Sequence, residues 1–87
     1  MSERVTLEFT IEPFTPAQPG PHVVASIDAA RATASQVDVG PFGTSAVASA
    51  DEIAETTRAV VAAALANGAT RISMQISTDQ PASREPS

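Results

Sequence analysis

With 87 residues and ten acidic against five basic side chains, a formal charge of −5, the chain has room for one core and no basic surface to hold a phosphate backbone. Its cations, Arg4, Arg31, Arg58, Arg71 and Arg84, are scattered along the sequence, which argues against a nucleic-acid partner, and the lack of cysteine excludes disulfides, thiolate metal sites and a cysteine nucleophile. No apolar run approaches the roughly 20 residues of a membrane span, and Met1 to Arg4 lead straight into a strand pattern, so the sequence reads as a cytoplasmic protein with no membrane segment.

Val5, Leu7, Phe9 and Ile11 alternate with Thr6, Glu8, Thr10 and Glu12, which predicts a strand with one buried and one open face. Pro13 ends it. The stretch from Pro13 to Gly20 holds three prolines, which cannot donate to a ladder, and reads as a stiff loop. Pro21 suits the first turn of a helix, where its missing N–H would have had no partner; Val23, Ile27, Ala30 and Ala34 share one helical face with Val24 at its flank. Gln36 to Val39 is a short strand, Gly40-Pro41-Phe42-Gly43 a turn, and Thr44 to Ala48 the returning strand.

Ser49-Ala50-Asp51-Glu52 has the spacing of a capping box, with Asp51 favouring the positive end of the helix it opens. The buried stripe predicted for that helix is Ile53, Thr57, Val60, Val61, Ala64 and Leu65, and Asn67-Gly68 tolerates the conformation that stops it. Ile72, Met74 and Ile76 alternate with Arg71, Ser73, Gln75 and Ser77 in a last strand. From Asp79 the chain is polar with two prolines and reads as a loose tail, leaving residues 1–78 as the domain and 79–87 outside it.

The order strand, helix, strand, strand, helix, strand is that of the ferredoxin-like α+β sandwich: a four-stranded antiparallel sheet with two helices on one face. Each helix has one apolar stripe and can bury it only against the apolar face of the sheet. The opposite face, carrying Thr6, Glu8, Thr10, Glu12, Arg71, Ser73, Gln75 and Ser77, is left to water or to a second subunit. A small core gains from association, so a homo-oligomer built through that face is expected.

Catalytic chemistry finds little support. Glu8 and Glu12 are four residues apart, about 13 Å along a strand, too far for a shared proton or a glycosidase pair. His22 is the only histidine and reads as a surface residue at a helix start; with no cysteine and no carboxylate cluster beside it, no metal site is expected. The serines lack a nucleophile-elbow context, and Gly40-Pro41-Phe42-Gly43 lacks the Lys-Ser/Thr ending of a phosphate loop. Glu8, mid-strand beside the expected position of the last strand, is within reach of Arg71 or Gln75 and stands out among the carboxylates.

Taken in order, Glu8-Phe9-Thr10-Ile11-Glu12-Pro13, Val23 and Ile27, Gly40-Pro41-Phe42-Gly43-Thr44, Asp51-Glu52-Ile53 and Gly68-Ala69-Thr70-Arg71-Ile72 resemble the thiamine-binding, YkoF-like family over residues 5–77. The resemblance implies a small ferredoxin-like domain that assembles through its sheet face into a homodimer or homotetramer and binds thiamine or its hydroxymethylpyrimidine half without turning it over. It also implies polar contacts from Glu8, Asp38, Thr44, Ser45 and His22, and no further cofactor. The chain departs from the family in Ser45-Ala46-Val47-Ala48, where small apolar residues and a Glu-Gly pair are usual, and in Ala34, where the first helix commonly ends on glycine. The first departure removes an acidic group that a cationic ligand would use. The alternative is an oligomer of the same fold, structural or regulatory, that no longer binds the ligand.

Overall fold

Burial alternates along the first strand in the computed structural model, which describes residues 4–13, 20–40 and 43–78. The elements follow the expected order: β1 (Arg4–Glu12), α1 (Pro21–Thr33), β2 (Gln36–Val39), β3 (Thr44–Ser49), α2 (Ala50–Ala66) and β4 (Arg71–Thr78). The proline-rich loop from Phe14 to Pro19, the Pro41-Phe42 turn apex and the tail from Asp79 lie outside the described residues.

The strands form one sheet in the order β2-β3-β1-β4, with each neighbouring pair antiparallel. β1 is central because it pairs on both sides, from Arg4↔Ser49 to Phe9↔Thr44 against β3 and from Val5↔Thr78 to Glu12↔Arg71 against β4. Each helix links two strands separated by one other, α1 passing from β1 to β2 and α2 from β3 to β4. These two crossovers place both helices on one face, the ferredoxin-like α+β arrangement. The tight turn between β2 and β3 is closed by the Gly40 amide donating to the Gly43 carbonyl at 2.8 Å.

Val5, Leu7, Phe9 and Ile11 of β1 are all buried, with Leu7 wholly so, and meet Val23 and Ala30 of α1 and Ile53, Val60 and Ala64 of α2. Ala46 and Ala48 of β3 are small, which suits the close approach of the helices to the sheet. The buried stripe of α2 is Ile53, Thr56, Val60 and Ala64, rotated from the sequence expectation: Thr57 and Val61 lie at its flank, and Leu65 is 59 % exposed. Thr56 tolerates the interior position because its hydroxyl donates to the Glu52 carbonyl at 3.0 Å, leaving only its methyl group to pack, and Thr57 at the flank makes the same bond to the Ile53 carbonyl at 2.8 Å. In α1, Ser26 is buried by the same means, donating to the His22 carbonyl at 2.6 Å, while Ile27 is partly buried and Val24 is exposed.

Ser49 ends β3 and caps α2. Its hydroxyl accepts from the Glu52 amide at 3.3 Å, and the Glu52 carboxylate accepts from the Ser49 amide at 3.3 Å, the reciprocal pair the sequence spacing predicts. Ser49→Ala removes one of these bonds and should cost about 1 kcal/mol, read as a lower urea midpoint at unchanged slope; an unmoved midpoint would show that the cap contributes nothing. At the other end Gly68 has φ +100°, a conformation a side chain disfavours. The turn it makes lets the Ala69 amide reach the Ala64 carbonyl at 3.0 Å and the Thr70 amide reach the Glu12 carbonyl at 2.8 Å, which sets the start of β4 against β1. On the outer surface of α2 the Arg58 guanidinium pairs with the Glu55 carboxylate, lowering the carboxyl pKa through hydrogen bonding and charge.

No helix among the described residues is long and apolar enough to cross a membrane.

Candidate functional site

Side chains alternate across a strand, so register decides which residues share the face away from the helices. The pairings Asp38↔Ser45, Glu8↔Ser45 and Glu8↔Gln75 draw one row across all four strands of that face: Asp38, Ser45, Glu8, Gln75. Thr10 and Ser73 form the next row, and Glu12 with Arg71 the one beyond. Neighbours in such a row have Cα atoms about 4.5–5.5 Å apart. Of the two partners the sequence offered Glu8, Gln75 is the one placed opposite it, whereas Arg71 stands opposite Glu12.

A shallow pocket of about 410 Å³ lies over these rows, lined by Glu8, Thr10, Gly43, Ser45, Ser73 and Gln75 together with Phe9, Thr44 and Met74. Phe9, Thr44 and Met74 belong to the rows that face the helices, so what they offer the open face is backbone. Gly43 lets the wall come close: a Cβ there would stand 3.2 Å from the Phe9 carbonyl oxygen and 3.2 Å from the Thr10 methyl group. The polar inventory is one carboxylate, three hydroxyls and one amide, enough to meet a cation and a pattern of ring donors and acceptors. Glu8 is the sole ionisable group among the lining residues, and it is exposed.

The structure brings together some of the residues the sequence singled out and separates others. Glu8 and Ser45 line the pocket as neighbours. Asp38 continues their row on the sheet edge without lining it, and its carboxylate accepts from the Gln36 amide at 3.5 Å. Thr44 is at the site, but it shares a row with Phe9 and is 8 % exposed, so its side chain lies on the helix side. His22 belongs to the helical layer. Its Nε2 hydrogen-bonds the Pro13 carbonyl and ties the start of α1 to the end of β1, a structural task on the opposite side of the sheet from Glu8. Thr10, Gly43, Ser73 and Gln75 complete the site. The alternation of β1 and β4 had already put Thr10, Ser73 and Gln75 on the open face, and what was lacking was the register that aligns them with Glu8.

No family model matches the chain, and no curated protein matches it. Among solved structures it is similar to the domain of unknown function DUF77 from Bacillus cereus, with a TM-score of 0.58 and 20% identity over 92% of this chain and 78% of that one. It is similar also to a hypothetical protein from Methanocaldococcus jannascii, with a TM-score of 0.61 and 20% identity over 90% of this chain and 80% of that one. A third neighbour is a proposed thiamine biosynthesis/salvage protein from Thermotoga maritima, with a TM-score of 0.52 and 21% identity over 92% of this chain and 86% of that one. At these identities the likeness is one of fold.

Proposed function

We infer that the domain binds thiamine, or its hydroxymethylpyrimidine half, on the open face of the sheet and releases it unchanged. The observation that carries this reading is the pocket that joins Glu8 to Thr10, Ser45, Ser73 and Gln75. Its volume falls in the range of roughly 300–1,000 Å³ usual for small-molecule sites. A carboxylate suits the thiazolium cation, while hydroxyls and an amide suit the edge of an aminopyrimidine. The sequence resemblance to the thiamine-binding family supports the choice of ligand, and so does a fold neighbour proposed to act in thiamine biosynthesis or salvage. Binding without turnover fits a lining that holds one carboxylate and no second acid or base beside it.

The test is a thermal-shift panel of thiamine, its phosphates and hydroxymethylpyrimidine. A ligand that binds only the folded chain, present at a hundred times its dissociation constant, adds about 2.7 kcal/mol of stability, which moves the melting temperature of a domain this size by roughly 10–20 °C. Thiamine should give the largest shift, and its phosphates smaller ones because their negative groups meet an acidic surface. No shift from any of them at millimolar concentration would leave the oligomer without this ligand as the better reading.

A further inference from the structure

The open-face positions that line the pocket form a grid of two rows across β3, β1 and β4. One row is Ser45, Glu8 and Gln75, and the other is Gly43, Thr10 and Ser73. Gly43 is the corner without a side chain. A Cβ there would stand 3.2 Å from the Thr10 methyl group, so the glycine leaves a corner floored by backbone, open to the close approach of a flat ring. Gln75 stands diagonally across the grid from it, two strands and one row away, about 12 Å between Cα atoms at ordinary sheet spacings. A ring over the corner therefore meets the glutamine edge-on.

Gln75 is exposed, and among the described residues its side-chain amide has no hydrogen-bond partner. It is the one lining side chain that offers a donor and an acceptor side by side at fixed spacing, since the hydroxyls rotate and the Glu8 carboxylate only accepts. A 4-aminopyrimidine carries the complement on one edge: an amine that donates, beside a ring nitrogen that accepts. The same complement lets a glutamine read adenine through two parallel hydrogen bonds. An amide turned over would read the reverse pattern, but Glu8 is the cross-strand neighbour of Gln75, with Cα atoms about 4.5–5.5 Å apart. The NH2 group can donate to that carboxylate, whereas the carbonyl oxygen would be repelled by it. Glu8 thus holds the amide one way round.

We propose that Gln75 is the specificity-determining residue of the pocket: it pairs with the amine and ring nitrogen of a 4-aminopyrimidine lying flat over Gly43, and it rejects the 4-oxo form of the same ring. The proposal rests on the pyrimidine-binding reading above and adds which edge of the ligand is read, and by which residue. The oxo ring sets its carbonyl against the carbonyl of the amide and its ring N–H against the amide N–H. Both contacts turn repulsive. Because Gln75 and Glu8 are exposed, water relieves part of the conflict, and the discrimination falls at the low end for a bidentate pair, roughly tenfold in affinity.

Isothermal titration of thiamine, hydroxymethylpyrimidine and the 4-oxo analogue of each, against the parent chain and single-residue variants, tests this. The parent should prefer the amino form by roughly tenfold. Gln75→Met keeps the length of the side chain but neither hydrogen-bonding group, and should bring the preference below about twofold. Gln36→Met makes the same change outside the pocket and should keep the preference of the parent. A ratio of two ligands on one protein is unmoved by a change that merely loosens the strand. Gly43→Ala fills the corner and should weaken both forms by a similar factor. Equal affinity of the parent for the amino and oxo forms overturns the proposal, as does an amino preference kept by Gln75→Met or unchanged binding by Gly43→Ala, and in each case the thiamine reading stands. A parent chain that binds neither thiamine nor hydroxymethylpyrimidine overturns both.

Discussion

Leu7→Ala should cost this protein most of its stability. Leu7 is fully buried at the middle of the central strand, opposite Ala46 on one side and Ile76 on the other, with the helices above it. Truncating a leucine in such a position costs about 2–5 kcal/mol, in part the lost transfer energy and in part the cavity left behind. The neighbour Ala46 is too short to fill that space. A domain of this size has on the order of 5 kcal/mol of stability to lose, so a cost in the upper half of the range leaves a large unfolded fraction at 25 °C. Urea denaturation followed by circular dichroism would measure it. Ile76→Ala in the same sheet is the control and should cost well under half as much, since that side chain is about half in water already. Equal losses from the two changes would mean that the core is not centred on β1.

That contrast also shows where the sequence was legible and where it was not. The alternation in β1 identified the four side chains that the structure buries, and the Ser49-x-x-Glu52 spacing located the start of α2, because both signals are local: strand pleat and first-turn donors are set by residues within reach of one another. The stripe of α2 was harder to read. Thr57 and Leu65 suited an apolar face by residue type, but Thr56 occupies it: both threonines return their hydroxyls to the backbone and can pack as small apolar groups, so the choice between them is one of helix phase. No hydropathy pattern registers that exchange.

The candidate site was legible as a face and not as a place. Period-two alternation put Glu8, Thr10, Ser73 and Gln75 on the same side of the sheet. Which of them are neighbours depends on the offset between strands some 65 residues apart, fixed here by the Gly68 turn and the Thr70–Glu12 hydrogen bond. Thr44 and His22 fell away from the open face for separate reasons: one sits on the wrong parity of its strand, and the other is held in the helical layer by a carbonyl at the end of β1.

Glu8→Gln is expected to separate the two halves of the proposed ligand. The change keeps the shape and hydrogen-bonding reach of the side chain and removes its charge. Glu8 is exposed, so its attraction for a thiazolium acts in high dielectric and amounts to about 1 kcal/mol at contact, a loss of roughly fivefold in thiamine affinity. Hydroxymethylpyrimidine is neutral and needs only a polar partner, which the amide still supplies, so its affinity should change by less than about twofold. Salt provides a second reading of the same term: at about 1 M the Debye length falls to near 3 Å, and the parent's advantage for thiamine over the pyrimidine should shrink, while the variant's ratio stays put. Glu12→Gln is the matched control, since Glu12 lies two rows from Ser45, outside the pocket and opposite Arg71. Isothermal titration of both ligands against the three proteins at low and high salt decides the point. If Glu8→Gln and Glu12→Gln weaken thiamine equally, the cation responds to the net charge of the surface and Glu8 holds no particular contact with it.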